Sequence, residues 1–184
     1  MEAAVEVFWR LGYDGASLDD LTKAMGLNRP SLYRAFGDKK TLYLKALEHY
    51  SETTGSNAMQ AFVSEPEISA AVEKMLSVSL ECQIRGDDMA LGCLLANCAP
   101  TTLRSVPESQ SMLLDVLEAS QNRFADRFVQ EIARGNLPTG FPARERAVLL
   151  MDFVQSQAYR ARIGQDAENL RASIGPKVAA VLAL

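Results

Sequence analysis

The 184-residue sequence predicts an all-α protein, a small N-terminal three-helix unit joined to a larger helical body, with about nine helices in all. Three observations carry this. Apolar residues recur at spacings of three and four along nearly the whole chain, the period of a helix face. The alternating patterns of strands are almost absent. Glycines and prolines cut the chain into helix-length pieces at Gly12 to Gly15, Gly26, Gly37, Gly55, Pro66, Gly86, Pro100, Pro107, Gly135 to Pro142, and Gly164.

In chain order, residues 2–11 form the first expected helix, with Val5, Phe8 and Trp9 toward its core side. Two short helices follow at 18–25 and 29–36, then a longer one at 39–54. Further helices are expected at about 67–85, 88–98, 107–135, 143–164 and 167–183. The last carries Gly175-Pro176, and proline lacks an amide and clashes with the preceding turn, so a break or kink is expected near Ile174.

Composition narrows the function classes. The chain is 48% hydrophobic and 23% charged, ample for a folded core. No apolar run reaches the roughly 18 residues of a membrane helix. The N-terminal segment MEAAVEVFWRLG carries acids within its apolar pattern, unlike a signal peptide. The expectation is a soluble cytoplasmic protein without membrane contact. Cys82, Cys93 and Cys98 are odd in number and form no paired zinc-ligand pattern, and His49 is the single histidine. No metal or other cofactor is expected. The bland reading of the cysteines is small buried hydrophobes; a redox-sensing thiol at Cys93 or Cys98 is the alternative. No Ser-His-Asp set, phosphate loop or metal cluster points to an enzyme.

Net charge is −4, but unevenly distributed. Residues 1–50 hold seven basic and seven acidic side chains, whereas 51–184 hold twelve basic and sixteen acidic. Within 29–45, Arg29, Arg34, Lys39, Lys40 and Lys45 face Asp38 alone. A basic footprint on an acidic body suits local binding of phosphate.

The most informative stretch is SLDDLTKAMGLNRPSLYRAFGDKKTLYLKAL, residues 17–47. Ser17 and Asp20 have the spacing of a capping box, and Leu18, Leu21 and Met25 share a face. Gly26 can take the left-handed conformation that stops a helix. Asn28 is a good cap for the next helix, with Pro30 in its first turn, where proline costs little. Two helices of about eight residues joined by a turn of about three make a helix-turn-helix, whose second helix enters the major groove of DNA. That second helix carries Arg29, Ser31, Tyr33 and Arg34 outward, with Leu32 and Phe36 inward. Arginine and serine can bond base edges or phosphates, and tyrosine hydroxyls bond phosphates. Asp38 caps the following helix, and Lys39 adds charge to its amide-rich start, a phosphate clamp.

These residues resemble the DNA-binding domain of the TetR family of bacterial transcriptional repressors. The resemblance runs through Gly12, Ser17-Leu18, Leu21, Ala24, Gly26 (displaced by one position), Leu27, Ser31-Leu32-Tyr33, Phe36-Gly37, Lys39 and Leu42. PSLYRAFGDKKTLYLKAL, GCLLANCA and ARGNLP extend it over nearly the whole chain. It implies a helix-turn-helix domain at 1–46 and a ligand-binding and dimerisation domain at 47–184. It implies a homodimer on a pseudo-palindromic operator of double-stranded DNA, released by a small-molecule effector, and a repressor in function. Carried over residue by residue, Ser17, Tyr33 and Lys39 match phosphate-contacting positions, and Arg29, Pro30, Ser31 and Arg34 match the reading surface. Family members usually carry several residues, often basic, before the first helix. Here Met1 stands almost inside it, so either that arm is lost or the start lies upstream.

The body is less explicit. Phe62, Met75, Leu94, Leu117 and Phe153, with the amides of Asn97 and Gln157, are the candidate ligand contacts, since a buried amide needs a partner that a ligand can supply. The small-residue stripe Ala147, Met151, Val154 and Ala158, with Leu170 and Ile174 beyond it, is the candidate dimer seam. The competing readings are a helical dimeric adaptor and a redox-responsive regulator, neither using a small-molecule ligand.

Overall fold

The structure, a computed structural model, describes residues 1–86 and 90–183. Its elements are α1 (Glu2–Gly15), α2 (Leu18–Met25), α3 (Arg29–Phe36), α4 (Lys39–Glu52), α5 (Thr54–Ser64), α6 (Ile68–Ile84), a π-helical turn (Leu94–Cys98) running into a 3-10 turn (Ala99–Thr102), then α7 (Ser109–Ala133), α8 (Ala143–Arg162), α9 (Ala167–Ala172) and α10 (Ile174–Leu182). Among the described residues there is no strand, and no helix is long and apolar enough to cross a membrane.

The head, formed by α1 to α3 and the start of α4, is built by local signals. Gly12 leaves the helical region at φ 69°, which bends the end of α1. The Ser17 hydroxyl accepts from the Asp20 amide while the Asp20 carboxylate accepts from the Ser17 amide, so the expected capping box is present. Gly26 stops α2 in the left-handed conformation at φ 64° and ψ 30°. Asn28 caps α3 by accepting from the Ser31 amide, and Asp38 caps α4 by accepting from the Thr41 amide. Each cap satisfies amides that a helix start would otherwise leave unpaired.

The head does not close its own core. Phe8, Trp9, Leu21, Leu32, Leu42, Tyr43 and Leu47 are buried together with Leu91, Leu94, Cys98, Ala99 and Val106 from the body. Phe8 and Tyr43 meet edge to face at 4.9 Å, as do Trp9 and Tyr50. A second core joins α5, α6, α7, α8 and α10 around Phe62, Leu76, Leu80, Phe124, Phe128 and Leu150.

Three expected elements differ. The segment around Gly55, expected to break the chain, instead begins α5 after a one-residue interruption at Thr53. Burial of Ala58, Met59 and Phe62 outweighs the weak helix propensity of its Gly-Ser-Asn start. The helix expected at 88–98 is a π turn over its last five residues, because Gly92 holds φ at 67° and lies against α8; positions 87–89 lie outside the described residues. The final helix divides at Ser173, beside the expected break near Ile174, with Pro176 in the first turn of α10, where its missing amide costs little.

A buried ionic cluster fixes the far end of the body. Arg127 on α7 donates to the Phe62 and Val63 carbonyls at 3.2 and 3.3 Å and to those of Glu65 and Pro66 at 2.8 and 3.0 Å. The guanidinium thereby caps the C-terminal carbonyls of α5. Its Nε bonds Glu131 at 2.8 Å, and Glu131 also accepts from Arg134 and Asn136. Burial alone would raise the Glu131 carboxyl, but the bonds from Asn136 and Arg127 and the two arginine charges hold it below the ordinary glutamate value.

Candidate functional site

Two features of the structure have functional form: the exposed face of α3 with the start of α4, and a cavity in the body.

On the first, Arg29, Pro30, Tyr33 and Arg34 are exposed, and Ser31 is half-buried where its amide meets the Asn28 cap. Tyr33 keeps 45% of its surface exposed although it is a large aromatic, while Leu32 beside it is fully buried, so α3 turns its apolar side inward and its hydroxyl outward. Arg29 is bound to Asp19 of α2 through Nε at 3.1 Å and Nη2 at 2.9 Å. An exposed pair of this kind contributes little stability and exchanges readily for an external anion. Lys39 packs its ammonium over the Tyr13 ring at 4.4 Å, and partial burial draws its pKa below the ordinary lysine value. Ser17 differs from the other six candidate contacts, because its hydroxyl is committed to Asp20 at 2.6 Å. Lys40, part of the basic cluster in the sequence, is turned toward the body and bridges to Glu108 at 2.7 Å.

The head is also joined to the body around Trp9. The Leu91 carbonyl accepts from Trp9 Nε1 of α1 at 3.0 Å and from Arg162 Nη1 of α8 at 2.7 Å. The Cys98 thiol faces the Trp9 carbonyl at 3.6 Å, and the Tyr43 hydroxyl lies 3.2 Å from that of Thr102. Arg85, at the end of α6, stacks over Trp9 at 4.7 Å and pairs with Glu6 at 3.3 Å. The same segment supplies Cys93, Leu95 and Ala96 to the cavity wall.

That cavity, of about 810 Å³, lies between α4, α5, α6, α7 and α8. Its volume is in the range of small-molecule sites. Met75 and Leu117, both expected at a ligand site, line it. The other expected contacts lie elsewhere. Phe62 is consumed in the aromatic core with Phe124 and Phe128, and Leu94 in the core shared with the head. Phe153 packs against the body core. Asn97 accepts from the Cys93 amide at 2.9 Å and so holds the π turn. Gln157 donates to the Leu76 carbonyl at 3.0 Å and accepts from the buried Lys177 at 3.3 Å. Sequence reasoning missed Gln83 and Cys82 as wall residues. Their position at the inward side of α6 was the available signal.

The expected dimer stripe is also largely internal. Ala147 and Ala158 are buried where these small residues allow close approach of α8 to its intrachain neighbours α6 and α7, and Leu170 of α9 and Ile174 of α10 are buried in the body core. Met151 and Val154 are half-buried and line the cavity. The outward ridge of α8 instead carries Asp152, Tyr159 and Ile163, with Tyr159 and Ile163 59% and 63% exposed. Cys82 and Cys98 are pushed above the ordinary thiol value by burial, which keeps them protonated and slow as nucleophiles.

Comparison with known proteins agrees with this geometry. Residues 1–46 match the family model for bacterial regulatory proteins of the tetR family. The chain is 28% identical over 172 residues to the HTH-type transcriptional repressor ComR of Escherichia coli K12, covering 92% of this chain and 81% of ComR. A cysteine-substituted form of the TetR family transcriptional regulator CifR, solved in complex with operator DNA, superposes with a TM-score of 0.84 at 30% identity, over 97% of this chain and 93% of CifR. A TetR regulator from Chloroflexus aurantiacus shares the fold with a TM-score of 0.85 at 21% identity. With its capped helix-turn-helix, its outward Tyr33 and Arg34, and this likeness over nearly its full length, the chain belongs to the TetR family of DNA-binding bacterial transcriptional regulators.

Proposed function

We propose that the protein is a ligand-responsive repressor in the cytoplasm, binding a pseudo-palindromic operator as a homodimer and leaving it when a small molecule fills the body cavity. The observation that carries this is the Leu91–Cys98 segment, which touches the head through Trp9 and forms part of the cavity wall. A ligand that moves this segment changes the support under α1. ComR, a relative matched over most of the chain, is itself a repressor.

In this reading, residues 1–46 are the reading unit and 47–184 the effector and dimerisation unit. Arg29, Pro30, Ser31 and Arg34 face the major groove, and Tyr33 and Lys39 hold phosphate. Ser17 caps α2 and contacts phosphate at that helix start. The partner subunit packs on the exposed ridge of α8 through Tyr159 and Ile163, beside the exposed small residues Ala172, Gly175 and Ala179 of α9 and α10. Two heads related by a two-fold axis then meet half-sites about one helical turn apart.

The test is fluorescence anisotropy of the purified protein on duplex DNA from its own promoter region, with and without candidate small molecules. Binding of two subunits per duplex, reversed by a compound that leaves the fold intact, is the expected result. A protein that binds the duplex no better than random DNA, or that no small molecule displaces, contradicts the proposal.

A further inference from the structure

Among the described residues, one side chain of the cavity wall has a buried polar atom without a hydrogen-bond partner. Gln83, only 4% exposed, lines the cavity from the last turns of α6. Its Nε2 donates to the Val154 carbonyl of α8 at 3.2 Å. Its Oε1 is buried and, among the described residues, receives no hydrogen bond. The amide cannot be turned to cure this, because the reversed side chain would set Oε1 against the Val154 carbonyl, two acceptors face to face. The orientation is fixed from behind, and Gln83, a residue of the cavity wall, keeps an unused acceptor. A buried acceptor without a donor is costly, and a ligand that brings a donor recovers that cost.

The rest of the wall describes the ligand's body. Met75, Val78, Leu113, Leu117, Met151 and Val154 supply apolar surface from three helices. Ser79, one turn before Gln83 on the same face of α6, adds a hydroxyl. Among the described residues, no aspartate, glutamate or lysine lines the cavity. Of the two arginines at the wall, Arg85 is engaged with Glu6 and Trp9, and Arg123 is exposed and keeps its charge hydrated at the edge.

We propose that the cavity takes a neutral, largely apolar molecule carrying a hydroxyl group, and that Gln83 Oε1 accepts the hydrogen bond from that hydroxyl. This rests on the reading of the cavity as the effector site, and it specifies the chemistry of that site.

The experiment is isothermal titration calorimetry on the purified full chain without DNA, using two matched pairs of probes: 2-naphthol against 2-methoxynaphthalene, and 4-butylphenol against 4-butylanisole. Each ether has one carbon more and no donor, so apolar burial alone favours the ether. Each phenol is expected to bind at least about tenfold more tightly than its ether. In Gln83→Leu, with its fold checked by thermal unfolding, the gap falls to about twofold or less. The wild-type comparison stands without the variant. Ethers that bind as tightly as the phenols, absence of binding by both, or a gap that persists in Gln83→Leu overturns the proposal. Anisotropy on the promoter duplex separates this from failure of the effector reading. If ethers and phenols displace DNA equally, the effector reading stands and the hydroxyl preference falls. If phenols bind through Gln83 and leave operator affinity unchanged, the preference stands and the effector reading falls.

Discussion

The indole nitrogen of Trp9 donates to the Leu91 carbonyl at 3.0 Å, a bond between residues 82 positions apart that joins the first helix of the head to the body. The same carbonyl accepts from Arg162, so one backbone oxygen is shared by α1 and α8. Replacing Trp9 with phenylalanine removes the donor and leaves space in a fully buried site. The expected cost is about 1–3 kcal/mol in urea unfolding. Effector-driven release should also weaken relative to effector binding, since the Leu91 carbonyl then loses its bond to α1 and keeps the one to Arg162. An unfolding curve and release curve that match wild type contradict the relay.

Gly92 follows Leu91 directly and sits at φ 67°, with the Ala158 carbonyl only 2.9 Å from where a β-carbon would stand. An alanine there meets both a disfavoured backbone conformation and a rigid backbone atom of α8. Gly92→Ala is expected to lose about 2–4 kcal/mol of stability. Thermal unfolding checks this, and a shift within a degree of wild type would show that α8 yields.

Glu131 carries a pH dependence whose sign follows from its neighbours. Its carboxyl is held below the ordinary value in the folded state. The stabilisation is therefore complete above the unfolded glutamate pKa of about 4.3 and is lost as pH falls through the lower folded value. Glu131→Gln leaves Arg127 buried without its counter-charge and should cost about 3 kcal/mol at pH 7. For a chain of this size that is a drop of roughly 6–12 °C in melting temperature. Melting curves between pH 7 and pH 3 should show the variant and wild type converging at the acid end. A constant difference across that range contradicts the assignment.

How much of this was legible in the sequence depended on how local the cause was. Ser17, Asn28 and Asp38 accept from amides three residues on and the Gly26 amide donates to carbonyls of the preceding turn, so the head could be read from spacing alone. The helix at 54–64 was not legible, because Ala58, Met59 and Phe62 form it by packing on α6, which overrides the Gly55 break. Arg127 bonds carbonyls more than sixty residues away, and no sequence period reports that. The ligand and dimer candidates that lie inside the subunit's own core do so for one reason: periodicity marks a buried face but does not say what buries it. Ala158 and Phe62 are buried by their own chain, whereas Gln83 borders a cavity.

Lys39 and Tyr33 should separate affinity from sequence preference. Alanine at either position is expected to weaken binding on every duplex alike, by about threefold to tenfold for Tyr33, from loss of one phosphate bond. Alanine at Ser31 or Arg34 should instead change which operator bases are preferred. Anisotropy titrations against a panel of single-base operator variants distinguish the two patterns. A changed base preference in Lys39→Ala would contradict its role as a clamp.

The most direct measurement is the salt dependence of binding to the promoter duplex, wild type beside Lys39→Ala. On the proposed dimer, Lys39 neutralises one phosphate from each of two heads, so the slope of log affinity against log salt should be less steep in the variant than in wild type by about 2. The promoter duplex should bind at least about a hundredfold more tightly than random DNA. A slope near zero, or equal affinity for both duplexes, would contradict the assignment of the α3 face as the DNA-reading surface.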